Sequence, residues 1–193
     1  MSISGFLCNF AISLIQLMFS MWDKDNILQN LGSTLGGVDV CALAKEVPCS
    51  LLVGYLDHED LRVARNAAWV LTHKTLSEIR TLSHEHLIDL SMTTPDTSLR
   101  RLVLCLVERQ DVADEEIRTD FLDFCLLHMH LPDEPPGVQA LCMKLAYSMC
   151  RPYPELVHEF EETLGLMQPE MLKPGVSHLI KKIKKQIKLQ YHA

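Results

Sequence analysis

Four stretches of this chain carry the same apolar signature at nearly constant intervals. Val63, Asn66, Ala67 and Val70 line up with Leu99, Leu102, Val103 and Leu106. These line up with Val138, Leu141, Cys142 and Leu145, and those with Val176, Leu179, Ile180 and Ile183. The first positions stand 36, 39 and 38 residues apart. Apolar residues three, four and seven apart lie on one stripe of a helix. An interval of this length holds that helix, a second one and two short joints. One such hairpin cannot bury its stripe alone and does so by stacking on its neighbours.

The punctuation agrees with the period. No Asn-Gly or Asp-Gly hairpin turn occurs, and no two-residue alternation is sustained. Gly32 to Gly37 reads as a loop. Thr94-Pro95-Asp96, Asp133-Glu134-Pro135-Pro136, Pro152-Tyr153-Pro154 and Lys173-Pro174 read as helix starts. Proline in a first helical turn forfeits no hydrogen bond. The helices expected are 39–56 with Pro48 as its one break point, 59–75, 83–92, 96–109, 115–130, 136–151, 154–167 and 174–190. Joints this short make neighbours antiparallel.

Asp60-Leu61-Arg62-Val63-Ala64-Arg65-Asn66-Ala67-Ala68-Trp69-Val70-Leu71 resembles the first helix of a HEAT-like repeat, and the resemblance runs over about residues 39–190. A tetratricopeptide array has a tighter 34-residue period and an aromatic pattern that is absent here. The resemblance implies an all-α fold: a right-handed α-α superhelix of three to four HEAT-like, armadillo-type hairpins. The chain is also similar to small bacterial HEAT-like proteins of unassigned role, from which no catalytic residue carries over. Residues 1–38 are expected to be an apolar N-terminal segment and loop, and 39–193 the solenoid with a basic capping helix at its end.

Composition narrows the function. Eighteen Lys+Arg against 25 Asp+Glu give a net charge of −7, which argues against general nucleic-acid binding. Seven cysteines, odd in number and without a C-x-x-C pair, sit mostly in apolar runs, as reduced thiols in a cytoplasmic protein do. Met1 to Trp22 carries no charge. It reads as an extra packed helix or an over-long start before Met18 or Met21. The competing readings are a membrane anchor and a cleaved signal, although a basic n-region is missing.

Catalytic constellations are not found. There is no phosphate loop, nucleophile elbow, dinucleotide fingerprint or His-Glu-x-x-His. His84-x-His86 and His128-x-His130 place their imidazoles on opposite helix faces, so no metal or other cofactor is expected. HEAT-like solenoids include DNA glycosylases that excise alkylated bases with a basic concave face and tryptophans. Here the body is acidic, and Trp69 lies among Ala67, Ala68 and Val70, where it packs.

Charge is segregated. Residues 173–193 carry six lysines and no acid, and the other 172 residues carry 12 basic and 25 acidic side chains, a net of −13. Helical wheels put Leu156, Phe160, Leu164 and Met167 inside the helix from Pro154, with Glu155, His158 and Glu162 opposite. Ile117, Phe121, Phe124 and Cys125 face in on the preceding one, with Glu116, Thr119, Asp123 and His130 opposite. On the helix from Ser83, Leu87 and Leu90 face in while Glu85 and Asp89 face out. In HEAT-like solenoids the second helices line the concave surface. The expectation is an acidic second-helix face, Glu85, Asp89, Glu116, Asp123, Glu155, His158 and Glu162, that binds a basic peptide or protein without catalysis. The last helix presents Lys181, Lys182, Lys184, Lys185 and Lys188 on a basic amphipathic surface. The alternatives are a nucleic-acid binder or alkylation-repair-type glycosylase using that tail, and a membrane-associated adaptor held by residues 1–22 or the C-terminal helix.

Overall fold

A computed structural model describes residues 24–110, 118–167 and 172–191. They form eleven helices and no strand. The chain divides into two compact units, Met1–His73 and Lys74–Ala193. The expected segment 1–38 and body 39–193 divide it by pattern rather than by compactness. The expectations for Met1 to Trp22, and for Glu116 and Ile117, lie outside the described residues.

In the first unit α1 (Lys24–Gly32), α2 (Gly37–Glu46) and α3 (Cys49–Val53) pack on α4 (Leu61–Leu71). The break expected at Pro48 is real. Val47 is driven to extended backbone by the proline that follows it and ends α2. Asp60 caps α4 by accepting from Arg62 N at 2.8 Å. Val63, Ala64, Ala67, Ala68, Val70 and Leu71 are buried on two adjoining faces, against Ile27, Leu31, Val40 and Leu52. Trp69 is only half-buried. Asn66 stands at a position that other repeats give to leucine, and its amide donates to Leu31 O at 2.7 Å and Ser33 O at 3.0 Å. These are carbonyls at and just past the end of α1 that the helix itself cannot satisfy. Helix α1 lies where the sequence suggested an apolar segment and loop.

The second unit contains α5 (Leu76–Ile79), α6 (His84–Thr93), α7 (Thr97–Gln110), α8 (Thr119–His128), α9 (Pro136–Cys150), α10 (Pro154–Leu166) and α11 (Pro174–Tyr191). Asp96 Oδ1 accepts from Leu99 N at 2.7 Å and caps α7. Prolines open α9, α10 and α11 as expected. The repeat helices α7, α9 and α11 form one layer: α9 packs on α7 and on α11. Helices α6, α8 and α10 form the other, α6 against α7, α8 against α9, and α10 against α9 and α11.

The repeat register is visible in burial. Val63, Ala67 and Val70, then Leu99, Val103 and Leu106, then Val138, Cys142 and Leu145, then Val176, Ile180 and Ile183 are all buried. The position three after the first is thinner: Asn66, Leu141 and Leu179 are half-buried. The inner faces of the second layer need correction. Val157 is buried on α10 and Leu156 only half so, and on α6 Ile88 is buried and Leu90 half-buried. Each of these helices meets two neighbours, so its buried stripe is wider and turned from a single-sided wheel.

Candidate functional site

The second-layer helices α8 and α10 leave a groove of about 500 Å³ between them. Its floor and walls come from Leu122, Leu126, Tyr153, Leu156, Phe160 and Cys150, with Thr119, Thr163, Asp123 and Glu159 around them. Leu126 and Leu156 are half-buried, and Tyr153 is exposed. An apolar trough edged by carboxylates is thus built into the second-helix face. The Cys150 thiol in this trough is pushed up to about 11, chiefly by burial. It is protonated at neutral pH and a poor nucleophile.

Of the expected face, Asp123 on α8 is exposed and lines this groove, and Glu155 on α10 is exposed four residues ahead of the lining Glu159. Glu162 is exposed too, with its carboxylate 3.5 Å from His158 Nε2. Glu159, outside the expected acidic face, is exposed and also lines the groove. The signal that could have found it is its spacing, four from Glu155 and three from Glu162.

Glu85 and Asp89 have a different setting. Arg118, at the start of α8, donates to Glu85 Oε2 at 2.7 Å, Asp89 Oδ1 at 2.7 Å and Asp120 Oδ2 at 2.5 Å. Hydrogen bonds from Arg118 hold the Asp120 carboxyl below its usual range. Three carboxylates around one guanidinium tie α6 to α8, so this end of the face is a cross-link and not an open row of acids. Arg118 went unselected because its partners lie about thirty residues upstream on another helix.

Behind the groove α8 is fixed by a largely shielded, part-buried polar cluster. Glu134, ahead of α9, accepts on Oε1 from Arg100 Nη1 at 3.1 Å and from His128 Nδ1 at 2.6 Å. Arg100 also donates to Ser91 O at 3.2 Å and Thr94 O at 2.7 Å. Phe124 stacks on His128 at 4.0 Å, with the Arg100 guanidinium 5.9 Å from its ring centroid. A second cavity, about 650 Å³, is lined by Asp133, Glu134, Gln139, Thr163, Leu166 and Leu172 among others.

Three histidines of the two His-x-His pairs, His84, His128 and His130, make hydrogen bonds within the fold. His84 Nδ1 donates to Gln110 Oε1 at 2.8 Å and His130 Nδ1 to Leu126 O at 2.8 Å. Among the described residues no group of three His, Cys, Asp or Glu is arranged to hold a metal ion. Among the same residues no helix is long and apolar enough to cross a membrane. Among the described residues Cys41, Cys105, Cys125, Cys142 and Cys150 form no disulfide.

On α11 the apolar face is buried through Val176, Ile180, Ile183 and Ile187. Lys181, Lys182, Lys185 and Lys188 are exposed on the other side, and Lys184 is half-buried at its margin. Leu189, 67% exposed, stands among these lysines. Tyr191 at the end of the helix donates its hydroxyl to Arg151 O and anchors α11 to the end of α9.

A family model described as a HEAT repeat domain matches residues 40–187. The chain belongs to the HEAT repeat family. A search of curated proteins and a search of solved structures both returned no match. The HEAT match begins inside α2 and ends inside α11, so the acidic groove and most of the lysine-bearing helix lie within it. HEAT repeats generally mediate protein–protein interaction, and the family is typically a non-enzymatic scaffold.

Proposed function

We propose that this HEAT repeat protein is a non-enzymatic adaptor whose α8–α10 groove takes a basic, amphipathic segment of a partner protein. The observation that carries the reading is the groove's composition. Leu122, Leu126, Leu156 and Tyr153 offer apolar contact, while Asp123 and Glu159 stand at its edges with Glu155 and Glu162 beyond. Apolar side chains supply contact area, and a rim of one charge sign selects a partner of the other and steers its approach. The one thiol lining the groove, Cys150, is buried and held protonated at neutral pH, a poor nucleophile.

The test is fluorescence anisotropy with a labelled, leucine- and lysine-containing helical peptide. Binding should weaken steeply with salt, because exposed charges are screened beyond roughly 8 Å near physiological ionic strength. Exposed pairs contribute roughly 0.2–1 kcal/mol each. Replacing Asp123, Glu155 and Glu159 together by lysine turns three attractions into repulsions and should cost about tenfold or more in Kd. All three side chains are exposed, so the variant should unfold at nearly the wild-type midpoint. A folded variant that binds as tightly as wild type refutes the proposal.

A further inference from the structure

Helix α10 presents an acidic ridge of Glu155, Glu159 and Glu162, and α11 presents a basic ridge of Lys181, Lys185 and Lys188. All six side chains are exposed. Both ridges have the same spacing, with charges at a first residue, four later and seven later. Each runs about two helical turns, roughly 10 Å. Laid side by side in either direction, the three charges of one ridge fall within a residue of the three on the other.

Within one chain these ridges do not meet. Helices α10 and α11 pack together through buried side chains, Val157, Phe160 and Leu164 on one and Val176, Ile180, Ile183 and Ile187 on the other. The charged ridges are turned away from those stripes. Among the described residues the ridge acids have one ion-pair contact, His158 to Glu162 at 3.5 Å, with both side chains 71% exposed. Helix α11 has no acid of its own to answer its lysines. It does carry Leu189, four residues after Lys185 on the exposed side, and an exposed leucine among lysines suits the apolar groove beside Glu159.

We infer that the ligand of the acidic groove is the basic ridge of α11 on a second copy of this chain, with Leu189 entering between α8 and α10. The inference rests on the reading of that groove as a docking site and names its occupant. Charge complementarity favours a second copy over an anionic partner. The body that accompanies those lysines has a net charge of −13 and repels nucleic acid and acidic lipid.

Sedimentation velocity on the full chain tests it, from about 1 to 200 µM in roughly 50 and 500 mM salt. Wild type should sediment faster with concentration at low salt and as a monomer at high salt. A closed dimer and a longer chain of copies both carry the inference, since a contact between two different surfaces closes only when its rotation allows. Lys181→Glu/Lys185→Glu/Lys188→Glu and Glu155→Lys/Glu159→Lys/Glu162→Lys should each be monomeric at both salts. Their equimolar mixture should associate again, because every ridge then finds its opposite. The neutral variant Lys181→Gln/Lys185→Gln/Lys188→Gln should weaken association at least tenfold without placing acids near a helix C-terminus.

A wild type that stays monomeric at low salt overturns the inference, as does a mixture that fails to associate. A monomeric wild type that still binds the leucine-lysine peptide sinks the second copy and keeps the groove. Loss of both sinks the groove as well. A monomeric wild type that pellets with phosphatidylserine vesicles through these lysines assigns the ridge to lipid and overturns the inference too.

Discussion

Removing one member of the Arg100–Glu134 pair should cost more than removing both. The Glu134 side chain is 9% exposed and that of Arg100 13%. Both hydrogen bonds to Glu134 fall on Oε1, while Oε2 is buried without a partner. Taking one partner from a buried ion pair typically costs 3–5 kcal/mol, because the other charge stays behind unpaired. Arg100→Met leaves the Glu134 carboxylate with His128 alone, so about 3–4 kcal/mol is expected. Glu134→Leu leaves a guanidinium that still has two carbonyls and the Phe124 ring, so the loss is smaller, about 2–3 kcal/mol. The double variant removes both charges and leaves the carbonyls of Ser91 and Thr94 without this donor, at about 1 kcal/mol each. Its total of roughly 2 kcal/mol lies well under the sum of the singles, and a coupling of at least about 2 kcal/mol follows. Urea unfolding of the four proteins measures this directly. Single-variant losses that add to within about 0.5 kcal/mol would refute the argument, because the groups would then be acting independently. The peptide assay reads the same cluster from the other side. His128 and Phe124 belong to α8, so the single variants should loosen that wall of the groove and lower affinity where the double variant does not.

The cap of α5 sets an acid limit. Thr75 donates its hydroxyl and backbone N–H to Glu78, and these bonds, with Lys74, hold the Glu78 carboxyl down to about 2. A depressed carboxyl stabilises the fold above its unfolded pKa, near 4.3, and that stability is lost as pH falls towards about 2. Glu78→Gln keeps the cap geometry and should flatten that acid limb, by about 1 kcal/mol after allowing for solvent screening of a side chain 39% exposed. An unchanged acid limb in pH-dependent unfolding counts against this account. Asn66→Leu should cost about 1–2 kcal/mol, even though leucine is what other repeats carry there, because the carbonyls of Leu31 and Ser33 lose their donor. Faster amide exchange in the last turn of α1 would report it, and exchange equal to wild type would contradict it.

Much of this architecture could be read before any coordinate, for physical reasons particular to the chain. Pro136, Pro154 and Pro174 each begin a helix and Asp96 caps one, so backbone chemistry marks the starts. The three-four-seven spacing then assigns the buried stripe of every repeat helix. What escaped depends on neighbours distant in sequence. Helix α1 has only Ile27 and Leu31 to bury, too few to announce a helix, and its clearest sign is an asparagine more than thirty residues downstream. Whether Leu156 or Val157 turns inward depends on two packing partners that a wheel does not contain. The groove is a gap between α8 and α10, and no residue by itself encodes a gap. Asp123, Glu155 and Glu162 were readable as exposed acids. That Glu85 and Asp89 are held by Arg118 was not, because that contact crosses from α6 to α8.

The uniform buried register has a consequence for size. In a globule, surface grows more slowly than mass, as about the 0.73 power, so added residues go increasingly to the interior. Here each repeat helix offers its neighbours the same three positions, so the faces of α7 and α9 are close to interchangeable as mating surfaces. A further hairpin of the same register, spliced ahead of Pro136, would meet a matching face on either side. Exposed second-helix surface would then rise in direct proportion to length, one groove for each hairpin added. Binding area in such a molecule is an extensive property, set by counting units and not by reshaping a core.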